Sequence, residues 1–244
     1  MNWKDKGIVL RLSKLGEYDA ICCLLSEKHG KINGCVKGAF SKRMRPFLEI
    51  GSTVQAEYKT KSEEHLGYFK IEPIKNNSSQ VLNHSGKLLA FKSAISIVDA
   101  SLMYGQNHDT VFSVLESFFT TLNSDYWASS YCKWEISILA EMGIALDFSS
   151  CAGGGSNDLC YVSPKSGRAV SREMGQLYKA KLLPLPKFLV DNSLLENKCL
   201  EYYEAMKMSD FFLKSVISDY NKENMTEPRK RLSDWFFNRF DKNA

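Results

Sequence analysis

At 244 residues the chain has room for one large domain or two to three small ones, and its 44% hydrophobic and 25% charged residues match an ordinary water-soluble protein. It has no run of about 18 apolar residues, which excludes a membrane-spanning helix, and its seven cysteines, odd in number with Cys22 and Cys23 adjacent and no C-x-x-C spacing, argue against a disulfide framework. The net charge of +4 is concentrated in the first third: residues 1–80 carry 14 Lys and Arg against 9 Asp and Glu (+5), and residues 81–244 carry 18 against 19 (−1).

The opening Met1-Asn2-Trp3-Lys4-Asp5-Lys6 has no cleavable apolar core, so a cytoplasmic protein is expected. Residues 1–75 read as strands. Gly7 to Leu12 is β-rich, Gly16 to Asp19 is a turn, and Ala20 to Ser26 is a buried-strand run. A second turn, Lys28 to Lys31, leads into a third strand from Ile32 to Lys37. Thr53 to Tyr58 and Gly67 to Ile71 alternate apolar and polar residues with period two, the mark of half-buried strands, and the polar Lys61-Ser62-Glu63-Glu64-His65 connects them. Five short strands fit an OB-type barrel better than a sandwich, which usually needs about seven.

After the polar linker Asn76-Asn77-Ser78-Ser79 the period changes to 3.6. Leu88 to Leu102 marks one helix, Val111 to Phe119 a second with Asp109 placed to cap it, and Tyr126 to Met142 a third ended by Gly143. Residues 144–172 are irregular, with Leu159 to Val162 and Arg168 to Ser171 forming a small β-hairpin around the turn Ser163-Pro164-Lys165-Ser166-Gly167. Helical patterns resume at Tyr202 to Lys207, Phe211 to Tyr220 and a last helix beginning near Thr226-Glu227-Pro228. The fold expected is α+β: an N-terminal OB-fold β-barrel domain over residues 1–78, then a mainly α-helical domain over 79–244 with the hairpin segment 144–172 inserted.

The basic residues of the first domain form a candidate stripe. Lys31, Lys37, Lys42, Arg43 and Arg45 lie between residues 31 and 45, no acid occurs from Asn33 to Leu48, and Arg11 and Lys14 extend the stripe from a neighbouring strand. A loop carrying Ser41-Lys42-Arg43-Met44-Arg45 beside a strand ending at Lys37 can track a phosphate backbone. Its affinity would come from counterion release and carry no base sequence information. The flanking Phe40 and Phe47 serve as loop anchors or as stacking rings. No enzyme site emerges. His29, His65, His84 and His108 form no close pair, and neither a G-x-x-x-x-G-K-S/T loop nor a G-x-S-x-G elbow is present. Arg229, Lys230 and Arg231, at the start of the last helix, are either solvated or a second contact for DNA or an acidic partner. Trp127, Tyr131 and Trp134 at helical spacing read as core.

Four segments carry a family resemblance: Gly7-Ile8-Val9-Leu10-Arg11, Leu15-Gly16-Glu17-Tyr18-Asp19, Leu24 to Lys31 and Val36-Lys37-Gly38-Ala39. With Glu141 to Asp147, Cys151 and Tyr161 to Val170 downstream, the chain resembles the RecO family of bacterial recombination mediators, in its alphaproteobacterial branch. The resemblance implies DNA repair by the RecFOR pathway. It implies binding of single- and double-stranded DNA, annealing of complementary strands, and association with RecR and with the acidic C-terminal tail of the single-stranded DNA-binding protein SSB. It further implies help in loading RecA onto SSB-coated DNA, in the cytoplasm and on the nucleoid.

Many members of that family hold zinc with two C-x-x-C pairs. Here Cys151 matches the first ligand, Gly154 stands at the second, and Ser171 and Met174 stand at the second pair, so no cofactor is expected and the zinc site reads as lost. Two other readings compete with a non-enzymatic DNA mediator: an OB-fold RNA-binding or translation-associated protein, and a scaffold whose helical domain does the work.

Overall fold

In a computed structural model, residues 2–45, 47–62, 65–191, 198–221 and 226–240 are described; Glu63 and Glu64 of the expected polar connection lie outside them. The chain divides into two compact units, Met1–Phe119 and Thr120–Ala244.

The first unit is built on five strands, β1 (Asn2–Leu15), β2 (Asp19–Ser26), β3 (Gly30–Val36), β4 (Thr53–Lys59) and β5 (Gly67–Lys75). β1 is long enough, at roughly 3.3 Å per residue, to serve two neighbours. Its Asn2–Ile8 half pairs antiparallel with β4 and its Gly7–Leu15 half with β2. The strand order β1-β2-β3-β5-β4 therefore returns to β1, and the sheet closes on itself. Two pairings are not hairpins: β1 with β4, and the short parallel pairing of β3 with β5, Gly34 opposite Gly67. Both glycines are there for space: a Cβ on Gly34 would lie 2.5 Å from the Phe69 ring, and one on Gly67 2.4 Å from the Tyr58 ring. Period-two alternation sends Val54, Ala56 and Tyr58 of β4 and Phe69 and Ile71 of β5 inward, to join Val9, Cys22, Leu24 and Val36 in one core. The same alternation sends Glu57, Lys59, Tyr68, Lys70 and Glu72 outward.

Two helices complete this unit, α1 (Ser85–Ser101) and α2 (Asp109–Thr121). The His84 ring caps α1 by accepting the Lys87 N–H at 3.1 Å. Asp109 sits one place inside α2 rather than flanking it, and its carboxylate accepts the Thr110 N–H at 2.9 Å. Both helices pack on the sheet. Gly51, at φ 84°, leaves room for Phe91, and Lys6 of β1 pairs with Glu116 of α2 at 2.5 Å. The expected change of pattern at residue 78 falls between β5 and α1, whereas the compact division falls after α2 for this reason.

The second unit contains α3 (Trp127–Glu141), β6 (Leu159–Val162), β7 (Ala169–Ser171), α4 (Arg172–Gly175), β8 (Leu183–Pro184), α5 (Lys187–Val190), α6 (Cys199–Asn221) and α7 (Glu227–Phe240). α3 ends at Gly143, whose φ of 85° lets the Ile144 N–H reach back to the Leu139 carbonyl at 2.8 Å. Trp127, Tyr131 and Trp134 are core, as their spacing indicates. The expected hairpin forms, and β8 adds a third strand to it, Tyr161 opposite Pro184. The two helical patterns expected at 202–207 and 211–220 are one helix of 23 residues, α6. Its interruption at Ser209-Asp210 is polar for a packing reason, since Ser209 faces the core and bonds Glu135.

Candidate nucleic-acid interface

The loop between β3 and β4 is ordered from its base. Gly38, at φ 64°, turns the chain out of β3. Its N–H donates to the Asp19 carboxylate at 2.8 Å, and the Phe40 N–H donates to the Tyr18 carbonyl at 2.9 Å, so the loop is tied to the β1–β2 turn. The Ser41 carbonyl then accepts from Met44 and Arg45, and the Met44 carbonyl from Phe47 and Leu48, two successive helical turns. Ala39 and Leu48 are buried, and Phe40 and Met44 pack against the sheet core. Phe40 is thus a loop anchor, while Phe47 is exposed. With Met44 turned in, Lys42, Arg43 and Arg45 stand out in solvent.

A second limb comes from the outer face of the sheet. Lys59 of β4 lies opposite Tyr68 of β5, and Glu57 lies opposite both Lys70 of β5 and Lys4 of β1. Lys59 pairs with Glu57 at 2.6 Å. The hydrogen bond and charge of Lys59, with the charges of Lys70 and Lys4, hold the Glu57 carboxyl below its ordinary pKa. Glu72 also faces outward, 3.9 Å from Lys70, so Lys4, Lys59 and Lys70 against Glu57 and Glu72 leave this face only slightly positive. Lys37, exposed at the end of β3, holds its ammonium 5.6 Å from the Tyr68 ring centroid. Between the two limbs lies a cavity of about 430 Å³ with Val36, Met44, Phe69 and Ile71 as its apolar lining and Lys37, Glu57, Lys59, Tyr68 and Lys70 as its polar and charged lining.

Of the stripe expected from sequence, Lys14, Lys37, Lys42, Arg43 and Arg45 are exposed. Arg11 is exposed but engaged, 3.2 Å from the Asp99 carboxylate and donating to the Tyr104 hydroxyl at 2.9 Å. Lys31 departs from the expectation. It is 4% exposed, its ammonium pairs with the Asp99 carboxylate at 2.9 Å, donates to the Asp99 and Leu102 carbonyls, and lies over the Tyr104 ring. The physical cause is the segment after α1: Gly105 donates to the Lys31 carbonyl at 3.0 Å, so that segment covers the start of β3. Lys31 fastens this segment and has no free face for phosphate. Lys4, Lys59, Lys70 and Tyr68 were missed, although the alternation of β4 and β5 already points Lys59, Tyr68 and Lys70 outward.

In the second unit, the three cations at the start of α7 do not form one patch. Arg229 is 2% exposed and bonds both Glu135 oxygens, at 3.0 and 3.1 Å. Lys230 and Arg231 are exposed, and Arg231 pairs with Glu227 one turn back at 2.9 Å.

The zinc positions can be tested by their donors. The Cys151 sulfur accepts the Ser171 N–H at 3.2 Å and lies 3.5 Å from the Ser171 hydroxyl, while Met174 packs over Gly153 and Gly155. One thiol, one hydroxyl and one thioether do not fit a tetrahedral zinc site. Among the described residues no group of three or more His, Cys, Asp or Glu is placed to hold a metal ion. No helix among them is long and apolar enough to cross a membrane.

Comparison with known proteins covers the same span. Residues 1–77 match the family model described as Recombination protein O N terminal, and residues 85–218 match the one described as Recombination protein O C terminal. DNA repair protein RecO of Rhodospirillum centenum is 41% identical over 196 residues, 79% of this chain and 78% of the relative. DNA repair protein RecO of Rhodospirillum rubrum is 33% identical over 95% of each chain. That of Rickettsia conorii is 33% identical over 98% of this chain and all of the relative.

Proposed function

Because the chain belongs to the RecO family of DNA repair and recombination proteins, we propose that it is a non-enzymatic mediator that binds single- and double-stranded DNA through the basic face of its closed sheet and anneals complementary strands. With RecR it helps load RecA onto SSB-coated single strands in the cytoplasm, and it receives the acidic tail of SSB. We read the sheet as an OB-fold and residues 1–78 as the DNA-binding domain. The closing strand order and the short parallel β3–β5 closure support that reading. The helical segments of 79–244, with their zinc-free hairpin, are the remainder.

The observation that carries the proposal is the ordered loop that exposes Lys42, Arg43 and Arg45 beside Lys37 and the outward lysines of β4 and β5. Phosphates of one strand can lie along these cations. Contacts to phosphate are indifferent to sequence, which suits a protein that acts on any strand. Annealing needs two polyanions brought together with their repulsion screened, and no general acid, base or nucleophile.

Annealing of complementary oligonucleotides, followed by fluorescence quenching, tests this. Wild type accelerates annealing, and Lys37→Glu/Lys42→Glu/Arg43→Glu slows it by about tenfold or more through lost phosphate contacts, with an unchanged circular dichroism spectrum. A wild type that neither binds nor anneals DNA at low salt contradicts the proposal. A folded variant that anneals normally contradicts the site.

A further inference from the structure

We infer that Tyr68 is a base-stacking platform, and that the cavity it borders gives this face a preference for unpaired strands; the inference rests on the DNA-binding reading and deepens it. Tyr68 is 54% exposed, although its strand neighbours Gly67 and Phe69 are buried. The core does not need its ring. Trp3, Tyr58 and Phe69 fill the inside and pack on one another, with centroids 5.1 Å apart for Trp3–Tyr58 and 5.0 Å for Tyr58–Phe69. Among the described residues no aromatic ring stacks on Tyr68. Its one charged neighbour over the ring, the Lys37 ammonium, lies at 5.6 Å, near the outer limit of about 6 Å for a cation–π contact. A phosphate competes well for so loosely held an ammonium, and the ring is then free to meet a base.

The surroundings suit a single strand. Lys37, Lys59 and Lys70 border the same cavity as Tyr68, and Val36 and Met44 give it an apolar wall. Its volume of about 430 Å³ lies in the range of roughly 300–1,000 Å³ typical of small-ligand sites. Single-strand grooves combine a row of cations for the backbone with an aromatic face for the bases. A paired base is already stacked on both sides and has no face to offer. The lysines therefore serve both forms of DNA, and Tyr68 serves only the unpaired one.

The test compares affinities of the full chain for a thymidine oligonucleotide and for a duplex of equal length at fixed salt, with wild type, Tyr68→Ala and Tyr68→Phe. We expect Tyr68→Ala to bind the single strand about tenfold more weakly, to bind the duplex within about twofold of wild type, and to keep the wild-type salt slope because no phosphate contact is lost. Tyr68→Phe, which keeps the ring, binds both like wild type. Unchanged single-strand binding by Tyr68→Ala overturns the inference, as does an equal loss for single strand and duplex. A wild type that binds neither DNA overturns the DNA-binding reading itself, whereas a Tyr68→Ala that matches wild type while charge reversal abolishes binding overturns the stacking role alone.

Discussion

Lys31 and Arg229 are basic side chains that lie inside the protein, each against a carboxylate. Arg229 donates to both oxygens of Glu135, to the Met206 carbonyl at 2.6 Å and to the Ser209 hydroxyl at 3.1 Å, while the Tyr131 hydroxyl donates to Glu135 as well. Burial works against the guanidinium charge, yet Glu135, Tyr131 and Asp210 hold its pKa above the ordinary arginine value. Removing one partner leaves the other charge buried and unpaired, so Arg229→Ala costs about 3–5 kcal/mol of stability, while replacing both Arg229 and Glu135 by Met recovers most of it. Urea denaturation of wild type and the two variants measures this, and an Arg229→Ala loss no larger than that of the double variant contradicts it. Neither burial was legible from the basic residue, because a charge run reads the same whether solvated or paired. The signal lay in the partners: Asp99 follows the apolar Ile95, Ile97 and Val98 on α1, and Glu135 follows Trp134 on α3, each an acid on a buried helix face. Cys22, Cys23, Cys35 and Cys132 are buried, and burial pushes the Cys23 thiol up to about 11.

At the scale of elements, strands and helices were legible wherever one face is buried, since burial imposes the period. β1 to β3 follow from β-rich and apolar runs between turns, β4 and β5 from alternation, and α1 to α3 from 3.6-residue spacing and from Gly143. Short elements escaped. β8 is two residues long and contains Pro184, too brief to show a period, and α6 was split because Ser209 is a polar residue whose buried partner is distant in sequence. The hairpin is the element whose reading has the sharpest test. Its strands are held by the β6–β7 and β6–β8 pairings and by Cys151 bonding Ser171 across the fold of the segment. Purified protein should contain well under one zinc per chain by elemental analysis, and treatment with a chelator should leave its thermal midpoint unchanged. Stoichiometric zinc, or a midpoint that falls with chelation, contradicts a zinc-free hairpin.

For the whole molecule, the uneven charge is the feature that connects sequence to function. The excess of +5 in residues 1–80 could be counted but not aimed, because aiming it needs the strand register. Register sets Lys4, Lys59 and Lys70 around Glu57, loop geometry sets Lys42, Arg43 and Arg45 in solvent, and the segment after α1 takes Lys31 out of the set. On the proposed reading, DNA is held by phosphate contacts on this face. The most direct test of that reading is the dependence of single-strand affinity on salt for wild type and for Lys37→Glu/Lys42→Glu/Arg43→Glu. Each phosphate contact contributes about −0.7 to the slope of log K against log salt. The variant should therefore bind more weakly, with a slope shallower than wild type by about 2. Identical slopes and affinities for the two proteins would contradict that reading and remove DNA from this face.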